Sequence, residues 1–222
     1  MNQKVKHGIT FEVNGKTKHT WLDWSIVPTE KPVFQLPESK EIFVEIPGMD
    51  GMLDVSKALT GQMNYGQRTG TFEFMFAKGR DIEKRKSEIS NFLHGENVKV
   101  IFDDDIEYYY TGLAKVSEIV YGEKYSYITI EVIAEPYKLK KNKTIIQKTI
   151  SRTNTFSLLN LKKPVIPKIT SNASLNLTFK NSTFGIQAGE SIIPEFKLGQ
   201  GDNEVTVKGN GTITFEYQEG GF

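Results

Sequence analysis

The chain has 222 residues, is 38% hydrophobic and 25% charged, and sets Lys+Arg 28 against Asp+Glu 27 for a formal net charge of +1. That balance lacks the basic excess of a dedicated nucleic-acid binder. With no cysteine, disulfides, thiolate catalysis and cysteine-ligated zinc are excluded. The length suits one large β domain or two small ones.

In chain order, Val5 to Val13 reads as a strand that turns at Asn14-Gly15, a strong hairpin signal. Trp21 and Trp24 follow, fitting either a core plug or an aromatic platform. Pro28, Pro32 and Pro37 predict an irregular connection from Ile26 to Ser39. The stretch Glu41 to Phe76 then begins and ends as strand. Ile42, Val44 and Ile46 alternate with Phe43 and Glu45, and Phe72, Phe74 and Phe76 alternate with Glu73 and Met75. Between these strands, Pro47-Gly48 and Asp50-Gly51 supply turns within a long excursion carrying Met49, Met52, Leu53, Val55, Leu59 and Met63. So much apolar surface on a two-stranded excursion needs a cover, from a second sheet of the chain or from a neighbouring subunit.

Asp81 to Leu93 is the one predicted helix. Asp81 is placed to cap its start, Ile82, Ile89, Phe92 and Leu93 lie on one side, and Gly95 suits a left-handed stop. Glu83, Lys84, Arg85, Lys86 and Glu88 form its expected solvated face. Asn97–Phe102 and Ile106–Thr111 predict a hairpin around Asp103-Asp104-Asp105. This acidic tip lacks the spaced acceptors and glycine of a calcium loop. Leu113–Tyr121 and Tyr125–Ala134 form another expected pair. Pro136 closes the first domain, and residues 138–148, opening with Lys138, Lys140, Lys141 and Lys143, read as a basic linker.

Beyond the linker, short strands alternate with Gly, Asn and Ser, which predicts a small β-sandwich over residues 149–222. Leu175-x-Leu177-x-Phe179 and Val205-x-Val207 alternate, and Gly209-Asn210-Gly211 reads as a hairpin turn into Ile213, Phe215 and Tyr217. Neither a signal-peptide core nor an apolar run long enough to span a membrane is found. His7, His19 and His94 stand in no hydrolase or metalloprotease motif, and no phosphate-cradling glycine loop occurs. No enzyme, cofactor or metal is expected.

Several pieces, taken in order, resemble one family. Val44-Glu-Ile-Pro-Gly-Met-Asp-Gly-Met-Leu-Asp-Val-Ser56 is followed by Tyr65, Arg68 and Phe72-Glu73-Phe74. Then come Phe92-Leu-His-Gly95, Asp103-Asp104 leading to Tyr108-Tyr109, and Ala134-Glu-Pro-Tyr137. This series resembles the N-terminal domain of the distal tail proteins of long-tailed bacteriophages. Lys163-Pro-Val-Ile-Pro-Lys-Ile169 and Gly201-Asp-Asn-Glu-Val-Thr-Val207 resemble their galectin-like C-terminal sandwich.

The resemblance implies a mainly β protein with one helix, built as an N-terminal β-sandwich-like ring domain over 1–137, a linker over 138–148 and a galectin-like sandwich over 149–222. It implies a homo-hexameric ring in the virion tail tip, assembled in the bacterial host cytoplasm. That ring would join the tail tube protein to a tail-tip hub protein of the tail-associated lysin type, with DNA in transit through its channel. A receptor-binding protein is a further partner of such rings, although the compact second domain has no room for a long gripping arm. Ring neighbours would cover sheet edges that a β domain otherwise leaves open. Met49, Met52, Leu53, Val55, Leu59 and Met63 are the candidate inter-subunit contacts, with an intramolecular core as their other reading. Two alternatives stand beside this. One is a carbohydrate-binding tail or cell-wall module using Phe184, Phe196 and Tyr217 as a stacking surface. The other is the equivalent ring of a phage-derived bacteriocin.

Overall fold

The computed structural model describes residues 7–58, 61–77, 81–117, 120–122 and 125–222, and divides the chain into two units, Met1–Pro136 and Tyr137–Phe222. Strands dominate both.

In the first unit, β1 (Ile9–Val13) and β2 (Lys16–His19) form the expected hairpin, with Asn14 at φ 49° and Gly15 at φ 77°. Two successive positive φ angles are what a two-residue turn of matching twist requires. There follow β3 (Ile26–Pro28), β4 (Phe43–Glu45), β5 (Met52–Asp54), β6 (Arg68–Phe76), α1 (Ile82–Leu93), β7 (Asn97–Phe102), β8 (Tyr108–Val116), β9 (Val120–Tyr121) and β10 (Ser126–Ala134). One curled antiparallel sheet runs β2-β1-β7-β8-β10-β6-β3, with β9 beside the start of β10. Strict alternation in β6 and β10 sends Phe72, Phe74, Phe76, Ile128, Ile130 and Val132 into one core, to which α1 adds Ile89 and Leu93. Trp24 is 1% exposed and meets Phe11 and Phe92 at 6.1 and 5.8 Å, so this tryptophan plugs the core.

The helix differs from expectation at two points. Asp81 precedes it at φ 69° without making a side-chain cap. Arg85 leaves the solvated face: its guanidinium donates to the carbonyls of Trp24, Ser25 and Ala77 and stacks on Phe76 at 5.2 Å. Trp24 and Ser25 immediately precede β3 and Ala77 immediately follows β6, where sheet pairing stops and acceptors need another donor.

The second unit contains β11 (Lys138–Lys140), β12 (Thr144–Asn160), β13 (Lys168–Ser171), β14 (Leu175–Phe179), β15 (Ser182–Ile186), β16 (Gly189–Ile192), β17 (Gly201–Tyr217) and β18 (Gly220–Gly221). The predicted linker 138–148 is therefore a correction: β11 pairs with β18, and β12 already begins at Thr144. The polar, lysine-rich composition that suggested a connector is that of strands with one wet side. Lys140 meets Glu219 at 3.3 Å and Lys143 meets Glu216 at 2.5 Å.

The predicted turn at Gly209–Gly211 is a second correction. β12 and β17, each 17 residues long, pair through every residue from Thr144↔Tyr217 to Asn160↔Gly201. The glycines bend this ribbon instead of reversing it. On its other edge, β17 pairs with β14 through Val205–Lys208 and with β13 through Ile213–Glu216. One strand thus belongs to both layers, the way a sandwich turns a corner. Val205, Val207, Ile213, Phe215 and Tyr217 all point into a single core.

Candidate assembly surface

The edges of the first sheet are short and blunted. In β2, Lys16 and Lys18 stand opposite the buried Val13 and Phe11, and charged side chains on an edge strand discourage further pairing. The backbone of His19 is already occupied, since its N–H donates to Asp23 Oδ2 at 2.7 Å and its carbonyl accepts Asp23 N–H at 3.0 Å. That backbone hydrogen bond holds the Asp23 carboxyl below the usual range, with Lys18 adding to the effect. β3 ends at Pro28, which has no N–H to donate.

What remains open is an arm between β3 and β6. Its root is zipped by Gln35 N–H to Thr69 O (3.2 Å), Gly66 N–H to Glu38 O (2.8 Å) and Lys40 N–H to Asn64 O (2.8 Å). Arg68, 4% exposed, locks that root. Its guanidinium donates to Gln35 O at 2.8 Å and to Phe34 O and Pro136 O at 3.3 Å, and lies 5.0 Å from the Tyr110 ring. Burial lowers its proton affinity below that of a free guanidinium.

Beyond the root, β4 and β5 pair only with each other, Phe43↔Asp54, Val44↔Leu53 and Glu45↔Met52. Gly48 (φ 84°) and Gly51 (φ 80°) turn the tip. Ser56 closes the base by accepting Ile42 N–H at 2.7 Å and donating its own N–H to Asp54 Oδ1 at 2.9 Å. Hydrogen bonds from Ser56, side chain first, hold the Asp54 carboxyl below its ordinary range. Every residue of β4 and β5 is exposed. An isolated two-stranded hairpin is marginal in water, and this ribbon has no cover from the described residues of its own unit.

Of the candidate contacts, Met49, Met52 and Leu53 are 44%, 62% and 43% exposed, which removes the intramolecular-core reading for these three. Val55 and Met63 are half-buried, and Leu59 lies outside the described residues. The candidate set omitted Ile42, Phe43, Val44 and Ile46, which are 50%, 52%, 44% and 38% exposed. Their alternation was legible, but a strand beside a sheet was expected to bury one face.

The proposed stacking surface of the second unit does not form. Phe196 is 0% and Tyr217 3% exposed, both inside the core, and Phe184 packs against that core. The presence of aromatics in a strand-rich stretch does not say which side of a sandwich they face.

The acidic tip is held by side chains from other segments. Asp104 meets His7 Nδ1 at 2.5 Å and Lys31 Nζ at 3.7 Å, while Asp103 lies 3.2 Å from His19 Nε2. The His7 hydrogen bond is the main reason the Asp104 carboxyl sits below its usual range. Among the described residues, no group of three or more His, Cys, Asp or Glu is placed to hold a metal ion. A groove of about 530 Å³ lined by Glu12, Asn97, Lys99, Thr111 and Glu135 carries a Lys99–Glu12 ion pair of 2.7 Å.

Two curled β units, the first with one helix and an uncovered arm, can be set beside solved proteins. The crystal structure of the SPP1 Dit protein, gp 19.1, superposes with a TM-score of 0.64 over 96% of this chain and 99% of its own, at 13% sequence identity. The chain has the Dit fold. SPP1 Dit is described as a paradigm of the hub adsorption apparatus of phages that infect Gram-positive bacteria. No family model and no curated protein matches the sequence. At this identity the likeness to Dit is one of backbone, and the chemistry of the arm is that of this chain's own side chains.

Proposed function

We propose that this chain is a structural distal tail protein of a long-tailed phage. Copies of the first unit close a hexameric ring at the end of the tail tube and join it to the tail-tip hub, leaving an axial channel for DNA. The second units provide surface for further tail components, a receptor-binding protein among them. The observation that carries this reading is the exposed β4–β5 arm on a Dit-like fold. An aliphatic ribbon that the chain leaves uncovered is a joint awaiting a partner, and a head-to-tail joint repeated by rotation closes a ring. For an obligate ring, each joint should bury on the order of 2,000 Å² or more.

The mass of the purified protein by light scattering tests it. The wild-type chain should form a closed oligomer of six at high concentration. Leu53→Asp, which puts a charge on an exposed position and so spares the fold, should leave a folded monomer. A wild-type chain that stays monomeric at the highest soluble concentration, or a Leu53→Asp variant that still forms the ring, overturns the proposal.

A further inference from the structure

The arm has two faces of opposite chemistry. Opposed residues of an antiparallel pair share a face, and neighbours along a strand alternate. With Phe43↔Asp54, Val44↔Leu53 and Glu45↔Met52 in register, one face collects Phe43, Glu45, Met52 and Asp54. The other collects Ile42, Val44, Ile46, Leu53 and Val55. Residues 41–54 include four carboxylates and no Lys or Arg; Glu45 and Asp54 lie on the first face, Glu41 precedes the paired strands and Asp50 sits in the turn at the tip. The second is wholly aliphatic, with Ile42, Val44, Ile46 and Leu53 all 38–50% exposed.

These faces have different fates on assembly. Taking the Glu45 and Asp54 carboxylates out of water together costs more than the packing of their neighbours returns, whereas covering aliphatic side chains is favourable without further conditions. From the Ser39–Tyr65 bridge at its root to the turn at Gly48, the arm reaches roughly 30 Å at about 3.3 Å per residue. That is about the width of a domain of this size. An arm as long as its own body is wide delivers its face to a neighbour. The chain also carries aliphatic surface away from the arm. Val33 is 60% and Ile106 58% exposed, and the Lys31–Asp104 contact of 3.7 Å brings their segments to one end of the unit. A second copy can therefore supply the cover.

We infer that the arm docks on a second copy of this chain through Ile42, Val44, Ile46, Leu53 and Val55, and that the Phe43–Glu45–Met52–Asp54 face stays in water. The inference rests on the ring reading above and sharpens it. Leu53 and Val55 are buried in the joint, while Met52, a contact candidate from sequence, stands on the wet side.

The absence of cysteine makes the faces separately readable. Single variants Val44→Cys and Leu53→Cys report the aliphatic face; Phe43→Cys and Met52→Cys report the acidic one. All four should react readily with a maleimide in dilute monomer. In the assembled ring, the first two should slow at least tenfold and the last two should keep their monomer rate. Protection of Phe43→Cys and Met52→Cys instead, or no protection at any position in a sample of ring mass, overturns the inference and leaves the ring standing. A sample whose mass stays monomeric overturns the ring itself, and the inference with it.

Discussion

Gly209 of β17 stands directly opposite Arg152 of β12, and both have positive φ, 130° and 61°. This pair is where the long ribbon of the second unit bends. The amides there turn to side chains: Asn210 Oδ1 accepts Arg152 N–H at 3.1 Å and Asn154 Oδ1 accepts Ser151 N–H at 2.9 Å. A single cross-strand pair thus lets one strand serve two layers.

Gly209→Val should destabilise the second unit by about 1–3 kcal/mol, because a β-branched residue is strained at this φ and overpacks its surroundings. A Cβ at Gly209 would come within 2.6 Å of Leu175 Cδ2. Urea unfolding of the full chain checks this. Gly199→Val is the control, since a Cβ there meets nothing closer than 3.9 Å.

Arg68→Leu should cost roughly 2–4 kcal/mol in the first unit, since it strips a charged donor from buried carbonyls. Arg68→Lys should recover only part of this, because one ammonium does not reproduce the planar fork that serves Phe34, Gln35 and Pro136. Denaturation monitored by tryptophan fluorescence reads the loss, as Trp24 sits in the same core.

Tyr217 sets an alkaline limit. Burial, with the Glu219 charge adding to it, pushes its phenol up to about 12 from 10.0. The folded state favours the neutral form. Its contribution is therefore complete below about pH 10 and is lost as pH rises towards about 12. Thermal melts across that window should show a downward step that Tyr217→Phe removes. The variant should start about 1 kcal/mol lower, having lost the hydroxyl's 2.5 Å hydrogen bond to Leu159 O.

Period-two alternation made β1, β6, β10 and β14 legible, because an alternating strand with one buried face has few other conformations open to it. Asn14-Gly15 marked its hairpin for the same local reason. The single helix was legible too, apart from the missing cap at Asp81 and from Arg85, whose acceptors come from segments sixty residues earlier and eight residues earlier in the chain. The Gly209–Gly211 bend was misread because a glycine-rich turn and a glycine-rich bend look alike locally. The choice between them belongs to β12, whose pairing runs straight through.

By itself the sequence determined which stretches are strands, that one helix interrupts them, and that the apolar excursion after Glu41 needs a cover. Tertiary structure alone decided that no described part of the first unit lies over β4 and β5, that Glu45 and Asp54 share one face, and that Phe196 and Tyr217 turn inward. Alternation is a property of neighbouring residues, whereas burial depends on what distant segments place above them.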